Sequence, residues 1–160
     1  MPRSTTRRSV RKSAETRVPT RGLLDTDIVI QRRRIDPSAL PDEVAISTLT
    51  LAELSAGPNE VREDSGDYEP RAERARRLDA LQRAEADFDP IPFDIEAARA
   101  YGRVCAAVIA AGRKPRGRVV DLMIASVAIA EGLPLYTCNP ADFVGLEALV
   151  TVVPLTLLPA

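Results

Sequence analysis

Short apolar runs alternate along the chain with longer segments at helical spacing, and that alternation predicts the architecture. "GLLDTDIVI", Gly22 to Ile30, reads as a first strand, and "VAIST", Val44 to Thr48, as a second. Between them "RRRIDPSALPDE" is polar and punctuated by proline, a short helix or loop. "TLAELSAG" then opens a helix. From Arg62 to Ala86 the residues are mostly Ala, Leu, Arg and Glu with Pro70 as an interruption, which predicts two charged helices joined by a kink. "DPIPF" reads as a third strand. Residues 94–112 carry apolar positions at helical spacing through Ala97, Tyr101, Val104, Cys105 and Val108, and end at Gly112, a C-cap. "VVDLMIASVAIAEG" is a nearly all-apolar helix ending at Gly132, followed by "LPLYT" as a strand, "CNPADF" as a turn and "VTVVPL" as the last strand. Strands alternating with helices predict a parallel sheet covered on both faces, a three-layer αβα arrangement with ligands gathering beyond the carboxyl ends of the strands.

A length of 160 residues with 45% apolar residues suits one compact domain. The net charge of −1 conceals an uneven distribution. Residues 1–21 hold seven Arg or Lys against a single acid, Glu15, while the remainder holds 15 basic and 22 acidic residues. The expected organisation is therefore a basic, disordered extension over 1–21 and a folded domain over 22–160. The N-terminal tail has no apolar stretch long enough for a signal-peptide core and no run in the chain approaches the roughly 20 apolar residues of a membrane span, so the expectation is a cytoplasmic protein with no membrane partner.

The chain contains no histidine. Ser-His-Asp and Cys-His catalysis, a histidine general base and imidazole metal ligands are thereby excluded. Cys105 and Cys138 have no CxxC spacing and read as buried free thiols. Chemistry must rest on carboxylates.

Several acids stand where an apolar residue is expected or at a junction between elements. Asp25 and Asp27 fall on the first strand, where alternation puts both on one face. Glu53 lies in the first turns of the helix after the second strand, Asp121 opens the most apolar helix, and Asp142 follows the fourth strand. In a parallel sheet these acids, Asp27 aside, fall at the same end. Converging carboxylates repel one another unless a cation is present, and an all-oxygen site suits Mg²⁺ or Mn²⁺ rather than zinc. Each acid also has a plainer explanation. Asp94 and Asp121 fit helix N-caps, Glu53 a favourable helix-dipole position, and Asp142 an Asx-type turn after Pro140. Asp25 has none, because a strand interior gains nothing from an unpaired carboxylate.

"LLDTDIVI", "ISTLTLAELSAG" and "DLMIASVAIAEGLPLYTCNPADF" followed by an apolar strand, in this order and spacing, resemble a PIN-domain ribonuclease of the VapC type, the toxin of a toxin–antitoxin pair. The resemblance covers Gly22 to about Leu155. It implies a metal-dependent endoribonuclease on a five-stranded parallel sheet, an RNA substrate and a cognate antitoxin, and it allows a homodimer. It also implies that Asp25 and Asp121 are the principal metal-binding aspartates and that Glu53 is the acidic helix residue of the site. Asn139 or Asp142 completes the set, with Thr26, Thr137 and Asn139 in support. The basic extension and the Arg-rich segment 58–86 depart from the family pattern.

In the mechanism this implies, Asp25, Glu53, Asp121 and Asp142 hold one or two ions that activate a water against an RNA phosphodiester. Arg32–Arg34 and the cationic loop Arg113–Arg118 are candidates to carry the RNA backbone. Two rival readings stand beside it. "DTDIV" also fits the nucleophile motif of haloacid-dehalogenase-like phosphatases, with Asp25 as covalent nucleophile, and the fold also suits a catalytically inactive RNA- or protein-binding module.

Overall fold

The computed structural model describes residues 20–62 and 69–160. Most of the predicted basic extension, and part of the segment predicted as two charged helices, lie outside these residues. Arg21 already belongs to the first strand.

Strands β1 (Arg21–Leu24), β2 (Glu43–Ala45), β3 (Leu135–Thr137) and β4 (Val152–Pro154) form a wholly parallel sheet in the order β2-β1-β3-β4. The register sets Gly22 opposite Val44, Leu24 opposite Tyr136 and Thr137 opposite Pro154. The predicted strand "DPIPF" contributes only an isolated parallel bridge between Ser47 and Ile91, so four strands stand where five were expected. Ile91 donates to Ile46 O at 2.9 Å and accepts from Thr48 N at 2.9 Å, but the partner chain turns into a helix at Thr48, and the next amide on that edge, Phe93 N, donates to the Thr48 hydroxyl at 3.3 Å, so the ladder stops after one bridge.

The first strand is also shorter than its β-branched composition suggests. It stops at Leu24, and Asp25 caps a short helix, α1 (Thr26–Ile30), by accepting from Thr26 N. Asp25 and Asp27 therefore do not share a strand face. Ser47 likewise caps α2 (Thr48–Ala56) through Thr50 N. Pro70 sits at the first turn of α3 (Pro70–Asp87), where a missing N–H costs nothing, so it starts a helix and does not kink one. Asp94 caps α4 (Ile95–Ala110) by accepting from Ala97 N at 2.9 Å, and Gly112, at φ 76°, lies just beyond its end. The apolar helix α5 (Val119–Glu131) ends at Gly132, whose left-handed backbone (φ 65°) closes it.

Alternation along each strand sorts the core into two layers. Leu23 and Leu135 pack with Val104, Leu122 and Phe143 beneath α4 and α5. Leu24 and Tyr136 pack on the opposite face with Ile28 of α1, Leu54 of α2 and the small residues Ala80 and Ala84 of α3. The result is the expected three-layer αβα fold. No helix among the described residues is long and apolar enough to cross a membrane.

Gly22 shows how tight the second layer is. A Cβ at this position would lie 2.3 Å from Tyr136 Cε2 and 2.7 Å from its Cδ2, and Tyr136 is fully buried with no room to retreat. Gly22→Ala is expected to destabilise the protein by about 1–3 kcal/mol through overpacking. The check is the urea midpoint at unchanged m-value; an unmoved midpoint would show that the ring can shift.

Candidate active site

The parallel register brings the chemistry to one edge. Asp25 follows the last residue of β1, and Thr137 ends the neighbouring β3. Thr137 Oγ1 donates to Asp25 Oδ2 at 2.9 Å, and Thr26 N donates to Asp25 Oδ1 at 2.8 Å, so both carboxylate oxygens are held. The Thr137 hydroxyl in turn accepts from Asn139 N at 2.9 Å. Asp25 is only 5% exposed and Thr137 is fully buried.

Glu53 reaches the same edge from α2. Thr26 Oγ1 donates to Glu53 Oε2 and lies 3.1 Å from Thr50 Oγ1, so the first residue of α1 is tied to two positions one turn apart on α2. Asp121 comes from the first turn of α5. It is not the cap of that helix, because Arg118 occupies the cap position. Asp142 lies on a 3₁₀ turn, Pro140–Phe143, and its Oδ1 stands 3.1 Å from Arg118 Nη1. No Asx-type hydrogen bond is formed by the Asp142 side chain among the described residues; that carboxylate faces a cation. Asp27, on α1, receives a hydrogen bond from Asn139 Nδ2.

Asp25, Asp27, Glu53, Asp121 and Asp142 all line a single cleft of about 840 Å³. Their proximity shows in their proton affinities. Burial pushes Asp25 up to about 6, against the hydrogen bonds from Thr137 and Thr26, with repulsion from Asp121 and Asp27 adding to the rise. Asp121 is also pushed up to about 6, first by burial and then by Asp142, Glu53 and Asp27, with Arg118 opposing. Glu53 is raised by burial and by Asp25 and Asp27. The acids share a cleft but do not close on one point: among the described residues no three carboxylates or thiols are placed to hold one ion together. Mutual repulsion opposes closer approach. An oxygen-only set of this kind still fits a magnesium-like ion, which takes one or two protein carboxylates directly and keeps several waters. It does not fit zinc.

Every acid expected at the site is thus in the cleft. Sequence reasoning missed Thr50, whose signal was its place one turn before Glu53 on the same helix. It placed Asp27 on the wrong element. The phosphatase reading left Glu53 without a role, whereas the structure bonds it to Thr26 beside Asp25.

Comparison with known proteins accords with this geometry. The family model described as "PIN domain" matches residues 23–144. The ribonuclease VapC5 of Mycobacterium tuberculosis is 36% identical over 137 residues, which span 84% of this chain and 93% of that protein. The ribonuclease VapC8 of the same species is 35% identical over 108 residues, 67% of this chain and 89% of that protein. Among solved structures, VapBC-5 from M. tuberculosis, a member of the VapBC family of toxin–antitoxin systems, superposes with a TM-score of 0.70 at 34% identity, covering 85% of this chain and 98% of that one. VapBC2 from Rickettsia felis, bound to a DNA fragment from its promoter, shares the fold with a TM-score of 0.61 at 21% identity over 85% of this chain and 99% of that one.

The raised aspartates have a measurable consequence. With folded-state values of about 6 against an ordinary 3.8, Asp25 and Asp121 bind more protons in the metal-free fold than in the unfolded chain between roughly pH 4 and 6. Their contribution is fully favourable below that window and is lost as pH rises through it. Asp121→Asn is therefore expected to make the metal-free protein more stable at neutral pH, by about 1–2 kcal/mol, with the difference vanishing below about pH 4. Urea denaturation in the presence of a chelator at the two pH values measures it, and equal stabilities at neutral pH would mean that the acids do not repel.

Proposed function

Because the chain belongs to the PIN-domain family, we propose that it is a divalent-metal-dependent endoribonuclease, the toxin of a toxin–antitoxin pair, acting on RNA phosphodiesters in the cytoplasm. The observation that carries this reading is the single cleft that Asp25, Glu53, Asp121 and Asp142 all line, at the carboxyl end of a parallel sheet. The names of the similar proteins, ribonucleases and a toxin–antitoxin system, support it and point to a cognate antitoxin as protein partner.

Asp25, Asp121, Glu53 and Asp142 would hold Mg²⁺ or Mn²⁺, the first two as its principal carboxylates. Such an ion, when bound, supplies an activated water and neutralises charge on the phosphate oxygens. The chain's own residues provide the positioning. Thr137 and Thr26 N fix the Asp25 carboxylate in one orientation, the Thr26 hydroxyl holds Glu53 beside it, and Asn139 restrains both Thr137 and Asp27. The cleft contains no histidine or thiol nucleophile, and hydrolysis by water needs none.

Purified protein incubated with a mixed RNA pool should cut it, stop on addition of a chelator and resume with excess Mg²⁺; chelator-resistant cutting would remove the mechanism. Asp25→Asn is expected to slow cleavage by at least about a hundredfold while leaving antitoxin binding intact. Thr137→Val removes only the hydroxyl that orients Asp25, and a loss of about 10–100-fold with an unchanged circular dichroism spectrum is the expected result.

A further inference from the structure

Two cationic runs stand near this cleft in sequence, and the fold uses them oppositely. In the first, Arg113–Arg118, the guanidiniums of Arg113 and Arg118 are committed to the backbone of the turn that carries Asp142. Arg113 Nη1 donates to Ala141 O at 2.8 Å and to Val144 O at 3.3 Å, and Arg118 Nη1 donates to Ala141 O at 3.1 Å while pairing with Asp142. No residue of this run lines the cleft. In the second run, Arg32, Arg33 and Arg34 all line it. Arg34 is tied down by Leu158 O at 3.1 Å and Gln31 Oε1 at 3.3 Å.

Across the cleft, the arginines of α3 that line it are already engaged by acids of their own helix. Arg76 and Arg77 share Glu73, and Arg83 pairs with Asp79. Arg32 and Arg33 differ from all of these: they are exposed and make no side-chain hydrogen bond or ion pair with a described residue. Two unspent guanidiniums therefore stand at the mouth of a cleft whose floor is anionic.

We propose that Arg32 and Arg33 hold the RNA phosphodiester backbone at the mouth of the cleft, an inference that rests on the ribonuclease reading above. An acidic floor repels a polyanion, and within a Debye length of about 10 Å the rim must offset that repulsion before a phosphate can enter. Arg32 and Arg33 open the 3₁₀ turn that follows α1, so the short helix capped by Asp25 leads directly to them, and both ends line the one cleft. Contacts made there are the same in ground and transition states, so their loss raises KM and spares kcat.

The test uses the full chain and a fluorescein-labelled single-stranded RNA of mixed sequence. The double variant Arg32→Gln/Arg33→Gln is compared with wild type and with Lys114→Gln/Arg116→Gln, a change of equal charge outside the cleft. KM is expected to rise roughly tenfold in the first variant with kcat within about twofold, and the slope of log affinity against log salt to fall by about 1–1.5. Binding is read by fluorescence anisotropy in an Asp25→Asn background, so the RNA survives the titration. Unchanged KM and salt slope, a loss confined to kcat, or an equal effect in the control pair would each overturn the proposal. So would weakened antitoxin binding with RNA binding unaltered, which would make Arg32 and Arg33 protein contacts. If wild type binds the RNA but does not cut it, the ribonuclease reading falls, and the anisotropy comparison still decides whether these two arginines hold RNA.

Discussion

Burial of several carboxylates along one cleft, compounded by their mutual repulsion, is the constraint around which this molecule is arranged. Asp25 and Asp121 resist ionisation because burial denies them water and neighbouring acids oppose their charge. A fold that tolerates this must hold the acids by something other than their own attraction. The parallel pairing of β1 with β3 does so by setting Thr137 beside Asp25, and the hydrogen bonds through Thr26 do so by fastening α1 to Glu53 on α2. Stability comes from elsewhere: the two apolar layers, with fully buried Leu23, Leu24, Leu135 and Tyr136 at their centre, carry the site as a tolerated cost.

Much of this was legible in the sequence, for identifiable reasons. A carboxylate inside an apolar run is costly unless it has a partner, and Asp25, Glu53 and Asp121 each stood out on that ground. Helix ends were readable because capping chemistry is local: Asp94, Gly112 and Gly132 needed only their neighbours. The errors arose where local preference competed with tertiary demand. "TDIVI" is rich in β-branched residues and reads as strand, yet a single side-chain acceptor at Asp25, with Ile28 and Leu24 sharing a core layer, turns it into helix. "DPIPF" has the composition of a strand, but its neighbour turns into α2 at Thr48, so only Ile91 finds backbone partners there. Pro70 looks like a break within a charged segment, but its meaning depends on which side the helix lies.

The distribution of arginine was the least legible feature, because a guanidinium's role depends on what it meets after folding. Run composition made Arg113–Arg118 and Arg32–Arg34 equivalent. Folding separated them. Arg113 and Arg118 of the first run bond the carbonyls of Ala141 and Val144 and fix a turn, which positions Asp142 and leaves an opposing charge near Asp121. On α3, spacings of three and four residues gave Glu73 and Asp79 their partners within the helix, so much of the positive charge is offset where it is made. Arg32 and Arg33, which pair with no acid among the described residues, keep their positive charge available at the cleft. An enzyme that concentrates negative charge to hold a cation must attract an anionic substrate by other means. The same separation of charge, acids converging at strand ends and unpaired arginines on the rim, meets both requirements without either side neutralising the other.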